Sequence, residues 1–97
     1  MTYSLHSEAS KELAEAAEFY RERGGIALAR AFLNEFERVI SLLERYPELG
    51  TPASGGLRIQ PLRRFPYSMV YRPAREGLQI LVIGHQHRRP HYWKGRV

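Results

Sequence analysis

The chain has 97 residues, a formal net charge of +5 and no cysteine. This length suits one small domain, and the lack of thiols excludes a disulfide framework and thiolate chemistry. No apolar run reaches the length of a membrane span, and residues 1–10 lack the pattern of a signal peptide, so we expect a cytoplasmic protein with residues 1–97 in a single domain.

The charge is divided unevenly between the two halves of the chain. Residues 1–50 have a balance of −3, residues 51–97 have a balance of +8, and 13 of the 15 basic residues are arginine. Guanidinium presents a planar pair of donors that suits phosphate and carboxylate. The second half therefore indicates a surface that faces anions, and a solvated face in an arginine-rich composition is the alternative.

The first half has the pattern of a strand followed by two helices. Alternating apolar residues near the N-terminus predict a short strand, after which Ser7 is expected to cap a helix. Apolar residues at helical spacing predict helices over residues 8–23 and 26–45. Gly24-Gly25 predicts a break between them, so the two apolar stripes indicate a helical hairpin.

The second half has the pattern of a small sheet. A Pro- and Gly-rich connection over residues 47–56 is followed by predicted strands over residues 57–62, 65–72 and 78–85. The short links between strands favour an antiparallel meander. We therefore predict an α+β fold of order β-α-α-β-β-β, with the helical hairpin on one face of a small, mainly antiparallel sheet. The other face is expected to be open and basic, with Arg58, Arg64, Arg72 and the segment at Arg88.

A cluster of polar side chains follows the last predicted strand directly. Its members are His85, His87, Arg88, Arg89, His91 and Tyr92. Three histidines suggest a metal site, but no nearby acidic or thiol ligand completes the set and the arginines place positive charge beside it, so we expect neither metal nor cofactor. A phosphate-facing cluster is the more coherent interpretation, because imidazole can carry a proton while guanidinium stabilises negative charge.

Two aromatic residues close this cluster. Tyr92 and Trp93 have the chemistry to stack on exposed bases or to complete the core. Packing is favoured for Trp93, and both roles remain open for Tyr92. No phosphate-binding glycine loop or serine-centred triad is present, so nucleotide-driven chemistry and acyl hydrolysis have no support.

The order of elements, with the segments FPYSMVYR and HQHRRPHYW, resembles the RelE/ParE toxin superfamily over nearly the whole chain. The similarity is greatest to its ParE-like plasmid-stabilisation members. The resemblance implies a growth-inhibiting toxin of a bacterial type II toxin–antitoxin module, neutralised by a cognate antitoxin in a toxin–antitoxin hetero-oligomer. An acidic antitoxin segment would complement the basic half of the chain.

The superfamily contains two mechanisms. RelE-like members cut messenger RNA on the ribosome without a metal, whereas ParE-like members poison DNA gyrase. Tyr92 matches the RelE-like tyrosine, but the two RelE-like arginines fall on Ser68 and Gln86, which favours gyrase as the target. A ribosome-dependent endoribonuclease and a basic nucleic-acid-binding module without toxicity are the alternatives, so enzymatic activity stays open.

Candidate site residues follow from these alternatives. For an endoribonuclease, the catalytic candidates are Arg64, His87, Arg88 and Tyr92. For binding nucleic acid or the antitoxin, the candidates are Arg58, Arg63, Arg72, His85 and Arg89.

Overall fold

The computed structural model describes residues 2–87 and 92–96, so Arg88, Arg89 and His91 lie outside the described residues. The predicted α+β fold is confirmed, with a helical layer on one face of a five-stranded sheet. The elements are β1 (Thr2–Leu5), α1 (Ser7–Arg45), β2 (Thr51–Pro52), β3 (Arg58–Pro61), β4 (Tyr67–Ala74) and β5 (Gly77–His85), with 3-10 turns at Ser54–Gly56 and Lys94–Arg96. Within the described ranges, no helix has both the length and the apolar character needed to cross a membrane.

The helical run α1 folds back on itself as predicted. Its break includes Gly25, whose φ of 76° and ψ of −172° belong to a region that is almost exclusive to glycine. The rings of Tyr20 and Phe32 lie 5.3 Å apart, whereas twelve residues of straight helix would separate them by about 18 Å. The first arm (residues 7–23) and the second arm (residues 26–45) therefore form a hairpin.

The start of α1 differs from the prediction. Ser7 is already helical, and the preceding residue, His6, accepts a hydrogen bond at Nδ1 from the backbone N–H of Glu8 at 3.0 Å. The predicted Ser7 cap is wrong because an imidazole nitrogen one residue earlier takes the free N–H.

The sheet has the strand order β1-β5-β4-β3-β2, in which β1 is parallel to β5 and the other pairs are antiparallel. Strand β2 lies inside the connection predicted to be irregular, and it contains only two residues. Strand β4 extends to Ala74 with Pro73 opposite Leu78, which leaves Arg75 and Glu76 as the turn.

A bulge in β5 sends two apolar residues that are two positions apart to opposite faces of the sheet, whereas a regular strand would place them on the same face. Tyr71 pairs with Ile80 and Val70 pairs with Val82, so Leu81 is the extra residue. Ile80 joins the core under the helical hairpin, and Val82 joins a second apolar cluster on the other face. The main core buries Ala9, Ala16, Phe32, Phe36, Val39, Ile40, Leu43, Leu62, Phe65, Met69, Tyr71, Leu78, Ile80 and Ile83.

The centre of the face opposite the helices is an apolar cluster, so the expected open, basic face is wrong there. This cluster contains Leu57, Val70, Leu81, Val82 and Trp93. Residues 92–96, which we call the C-terminal segment, contribute Trp93 with 8% of its surface exposed. The predicted packing role of this tryptophan is confirmed, because its ring completes a core that the sheet alone leaves exposed.

Candidate functional site

The end of β5 and the β3–β4 loop lie side by side. The backbone N–H of Gln86 donates to the carbonyl of Pro66 at 2.8 Å, and the rings of Tyr67 and His85 meet edge to face with centroids 5.2 Å apart. These two contacts join the segments into one rim at this end of the sheet. Burial raises the pKa of the Tyr67 hydroxyl, and the negative charge of Glu15 raises it further. We call the side chains of Arg63, Arg64, His85 and His87 the basic rim.

The two histidines of the basic rim are ordered with respect to each other. Their ring centroids are 5.1 Å apart, and the backbone N–H of His87 donates to Nδ1 of His85 at 3.1 Å. A neutral His85 ring therefore carries its proton on Nε2. This arrangement offers an imidazole donor beside a second imidazole, which suits contact with an anion.

The arginine loop of the rim is attached to the second arm of the hairpin. The backbone N–H of Arg63 donates to Glu35 at 2.6 Å, and Arg38 donates twice to the same carboxylate at 2.7 and 2.9 Å. The hydrogen bond from Arg38 is the main cause of a lowered pKa at Glu35. Arg64 has a φ of 69°, and its guanidinium lies 5.4 Å from the centre of the Phe65 ring. The loop thus holds a left-handed turn at a residue other than glycine.

The two positions at which RelE-like members would carry arginine come together in the structure. Gln86 Nε2 lies 3.5 Å from the hydroxyl of Ser68 and 3.3 Å from the carbonyl of Tyr67. Both side chains are neutral, so this part of the rim holds a polar pair without positive charge.

The hydroxyl of Tyr92 is bonded to an acidic side chain of the first arm. This hydroxyl donates to Glu12 at 2.8 Å, and the same carboxylate receives Arg96 at 2.8 Å and the backbone N–H of Ile83 at 3.0 Å. Glu12 and Arg96 are 13% and 12% exposed in their side chains. Tyr92 therefore takes part in a largely buried polar cluster between the first arm, β5 and the C-terminal segment.

Two predicted binding residues lie elsewhere on the sheet. Arg58 donates to the backbone carbonyls of Glu48 and Gly50 at 2.9 and 2.8 Å, which gives it a structural role in the loop after α1. Arg72 donates to Gln79 at 3.1 Å. It is five residues along β4 from the first residue of that strand, a distance of about 16 Å. The structure thus places four of the predicted residues on two adjacent segments, the β3–β4 loop and the end of β5, and these two elsewhere.

The sequence interpretation missed the acidic anchors. Glu35 and Arg38 have the three-residue spacing of a helical ion pair, which is a usable local signal. Glu12 and Arg96 are 84 residues apart, and no local pattern connects them. Among residues 2–87 and 92–96, no three histidine, aspartate or glutamate side chains gather as candidate metal ligands.

Comparison with known proteins identifies the family. The model of the family described as ParE toxin of type II toxin-antitoxin system, parDE, matches residues 3–90. The chain belongs to the ParE toxin family, which confirms the resemblance to the ParE-like branch. Among solved structures, it is similar to the chromosomal ParDE TA system from P. aeruginosa, with 23% identity, a TM-score of 0.74, and coverage of 88% of this chain and 95% of that chain. That similarity shows a shared fold. A search of curated proteins finds no match.

Proposed function

We propose that this ParE-family chain inhibits bacterial growth by poisoning DNA gyrase. The observation that carries the proposal is the neutral pair of Ser68 and Gln86, 3.5 Å apart at the rim. Cutting RNA at a phosphate develops negative charge, and catalysis needs preorganised positive groups where that charge appears. A serine and an amide in these positions supply much less stabilisation than two guanidinium groups, which argues against ribonuclease chemistry.

The environment of Tyr92 also argues against ribonuclease chemistry. Its hydroxyl proton is directed to the Glu12 carboxylate at 2.8 Å. A catalytic tyrosine would need that hydroxyl within hydrogen-bond reach of the reacting ribose or phosphate. In this structure the hydroxyl instead stabilises the packing of the C-terminal segment.

A cognate antitoxin is the second partner that we propose. Residues 51–97 have a charge balance of +8, and an acidic antitoxin segment is the complementary surface. The basic rim offers guanidinium and imidazole donors to carboxylates. Arg89 follows the rim in the chain and belongs to the same proposal, although it lies outside the described residues. Binding would give a toxin–antitoxin hetero-oligomer.

The basic rim also favours a second candidate function, a metal-independent endoribonuclease on the ribosome. In that case His87 would carry the proton and Arg64 would stabilise the phosphate charge. Arg88, which lies outside the described residues, and Tyr92 would complete the catalytic set. This candidate requires Tyr92 to leave Glu12.

The deciding experiment is induction of the chain in bacteria that lack an antitoxin, with separate pulse labels for DNA and protein synthesis. We expect DNA synthesis to stop first, and purified gyrase to accumulate cleaved DNA complexes when the chain is added. Early loss of translation with cut messages would instead establish the ribonuclease. If expression is harmless, the remaining hypothesis is a basic nucleic-acid-binding module without toxicity.

A matched pair of variants sharpens this test. Tyr92→Phe removes the hydroxyl and keeps the ring, so a ribonuclease should lose its activity while a gyrase poison should retain most of its effect. Arg72→Gln, away from the rim, is the control. Fluorescence of Trp93, the one tryptophan in the sequence, checks that the C-terminal segment is still packed.

A further inference from the structure

Strand β5 is longer than its parallel neighbour β1. Part of the β5 edge therefore needs hydrogen-bond partners other than a strand. In the described residues, pairing with β1 ends at Ile80. Two backbone groups beyond that point, the carbonyl of Leu81 and the N–H of Ile83, are satisfied by side chains: Arg96 donates to the first at 3.0 Å, and Glu12 accepts from the second at 3.0 Å. A buried edge needs such partners because an unsatisfied backbone group is costly.

One carboxylate links three separate parts of the molecule. Glu12, on the first arm, accepts from β5 at Ile83, from Tyr92, and twice from Arg96 at 2.8 and 3.2 Å. Both charged side chains are nearly nine-tenths buried. Removal of the carboxylate would leave the Arg96 guanidinium without its counter-charge and the Ile83 N–H without an acceptor.

The rest of the C-terminal segment depends on this contact. A methyl group on Gly84 would lie 2.5 Å from the Tyr92 hydroxyl oxygen, so the ring rests directly on the backbone of β5. The next residue, Trp93, fills the apolar cluster on that face of the sheet. Release of the segment would therefore expose both the sheet edge and the second core.

We propose that Glu12 is a positioning residue that holds the C-terminal segment against β5, and that the toxin acts only while the segment is held there. This inference rests on the proposed toxin function. Glu12 contributes no contact to the target. Its effect passes through Arg96, Tyr92 and the edge of β5.

The test compares the wild type with Glu12→Gln, with Glu8→Gln as the exposed control on the same arm, and with the double variant Glu12→Gln/Arg96→Gln. Four properties are measured: Trp93 emission, hydrogen exchange at the Ile83 amide, circular dichroism and growth inhibition. For Glu12→Gln we expect a red shift of the emission, faster exchange and loss of growth inhibition, with the circular dichroism of the helices kept. Glu8→Gln should match the wild type.

The double variant separates positioning from a direct role of the carboxylate. Two amides can restore hydrogen bonds without an unpaired charge, so emission, exchange and growth inhibition should all return toward wild type. Return of emission and exchange without growth inhibition would overturn the inference. So would wild-type emission and exchange in Glu12→Gln, or full growth inhibition in a red-shifted Glu12→Gln.

A milder variant covers the case in which Glu12→Gln does not fold. Arg96→Lys keeps the charge and loses the paired donors of guanidinium, so it should show a smaller red shift and a partial loss of growth inhibition. Wild-type behaviour of Arg96→Lys would contradict the inference. If the wild type and Glu8→Gln are themselves harmless, the proposed function fails. If both are toxic and Glu12→Gln is equally toxic, only the inference fails.

Discussion

Two glutamates on the helical run share two kinds of contact in different surroundings. Glu12 and Glu35 each accept a backbone N–H from the sheet side and pair with an arginine. Arg38 is three residues from Glu35 on the same arm, whereas Arg96 is 84 residues from Glu12. One pair is therefore local, and the other exists only when the two ends of the chain meet.

The difference shows that the role of an ion pair depends on what it joins. The Arg38 side chain is 38% exposed and that of Arg96 is 12% exposed, so water can replace the first partner far more readily than the second. Glu35 fixes one loop of the basic rim, and Glu12 fixes a sheet edge together with the C-terminal segment. We therefore expect the two carboxylates to differ in their effects on stability.

The largest effect is expected for Glu12→Ala. Breaking a buried pair leaves an uncompensated charge, which should lower the free energy of unfolding by about 3 kcal/mol. Urea unfolding followed by Trp93 fluorescence gives this value, and Glu8→Ala, at an exposed position of the same arm, should change it little. Equal free energies of unfolding for the two variants would show that water solvates Arg96 without loss of stability once the Glu12 carboxylate is removed.

A smaller loss is expected when Tyr92 alone is displaced. In Gly84→Ala the new methyl group would lie 2.5 Å from the Tyr92 hydroxyl oxygen, so the ring must move, at a cost of about 1 to 2 kcal/mol. Gly95→Ala is the matched control, since a methyl group there meets no atom within 4 Å. If both variants unfold at the same urea concentration, the contact between Tyr92 and β5 contributes nothing to the free energy of unfolding beyond the contacts of Glu12.

The sequence predicted the parts of this comparison that depend on local pattern. Helical periodicity and the two adjacent glycines were enough to predict the hairpin, and the short links between strands were enough to predict the antiparallel pairing of the last three long strands. The bulge at Leu81 could not be found in this way. Residues 78–83 contain apolar side chains for both faces, and an apolar run does not reveal where one extra residue shifts the alternation.

The apolar cluster around Trp93 and the Glu12–Arg96 pair could not be predicted from local sequence patterns for a different reason. Arginine content suggested an open, basic face, yet Val70, Leu81 and Val82 form an apolar cluster with Trp93 at its centre. The tryptophan was correctly assigned to packing, but its docking place depends on Glu12 and Arg96. Contacts between the two ends of a chain follow from the complete fold, whereas the Glu35–Arg38 pair follows from spacing on one helix.

Glu35→Ala should have a smaller effect than either change at the C-terminal segment. The Arg63 N–H and the Arg38 guanidinium lose their acceptor but can reach water, so we expect a loss of about 1 kcal/mol in the free energy of unfolding. Hydrogen exchange at the Arg63 amide should accelerate, while exchange at the Ile83 amide stays unchanged. The exposed Glu22→Ala is the control. A loss as large as that of Glu12→Ala would remove the proposed distinction between local and distant pairs.

The smallest expected effect is a change in the acid dependence of stability. The Arg38 hydrogen bond holds the pKa of Glu35 below its ordinary value of 4.5. Above that value the carboxylate is charged in both states and its stabilising contribution is complete. As the pH falls through the lowered pKa of the folded chain, the contribution is lost, because protonation then favours the unfolded state. Glu35→Gln should therefore be less stable than the wild type at pH 7, and the difference should shrink toward pH 3 in urea unfolding. A difference that stays constant over this range would show that the carboxylate charge is not what anchors the arginine loop.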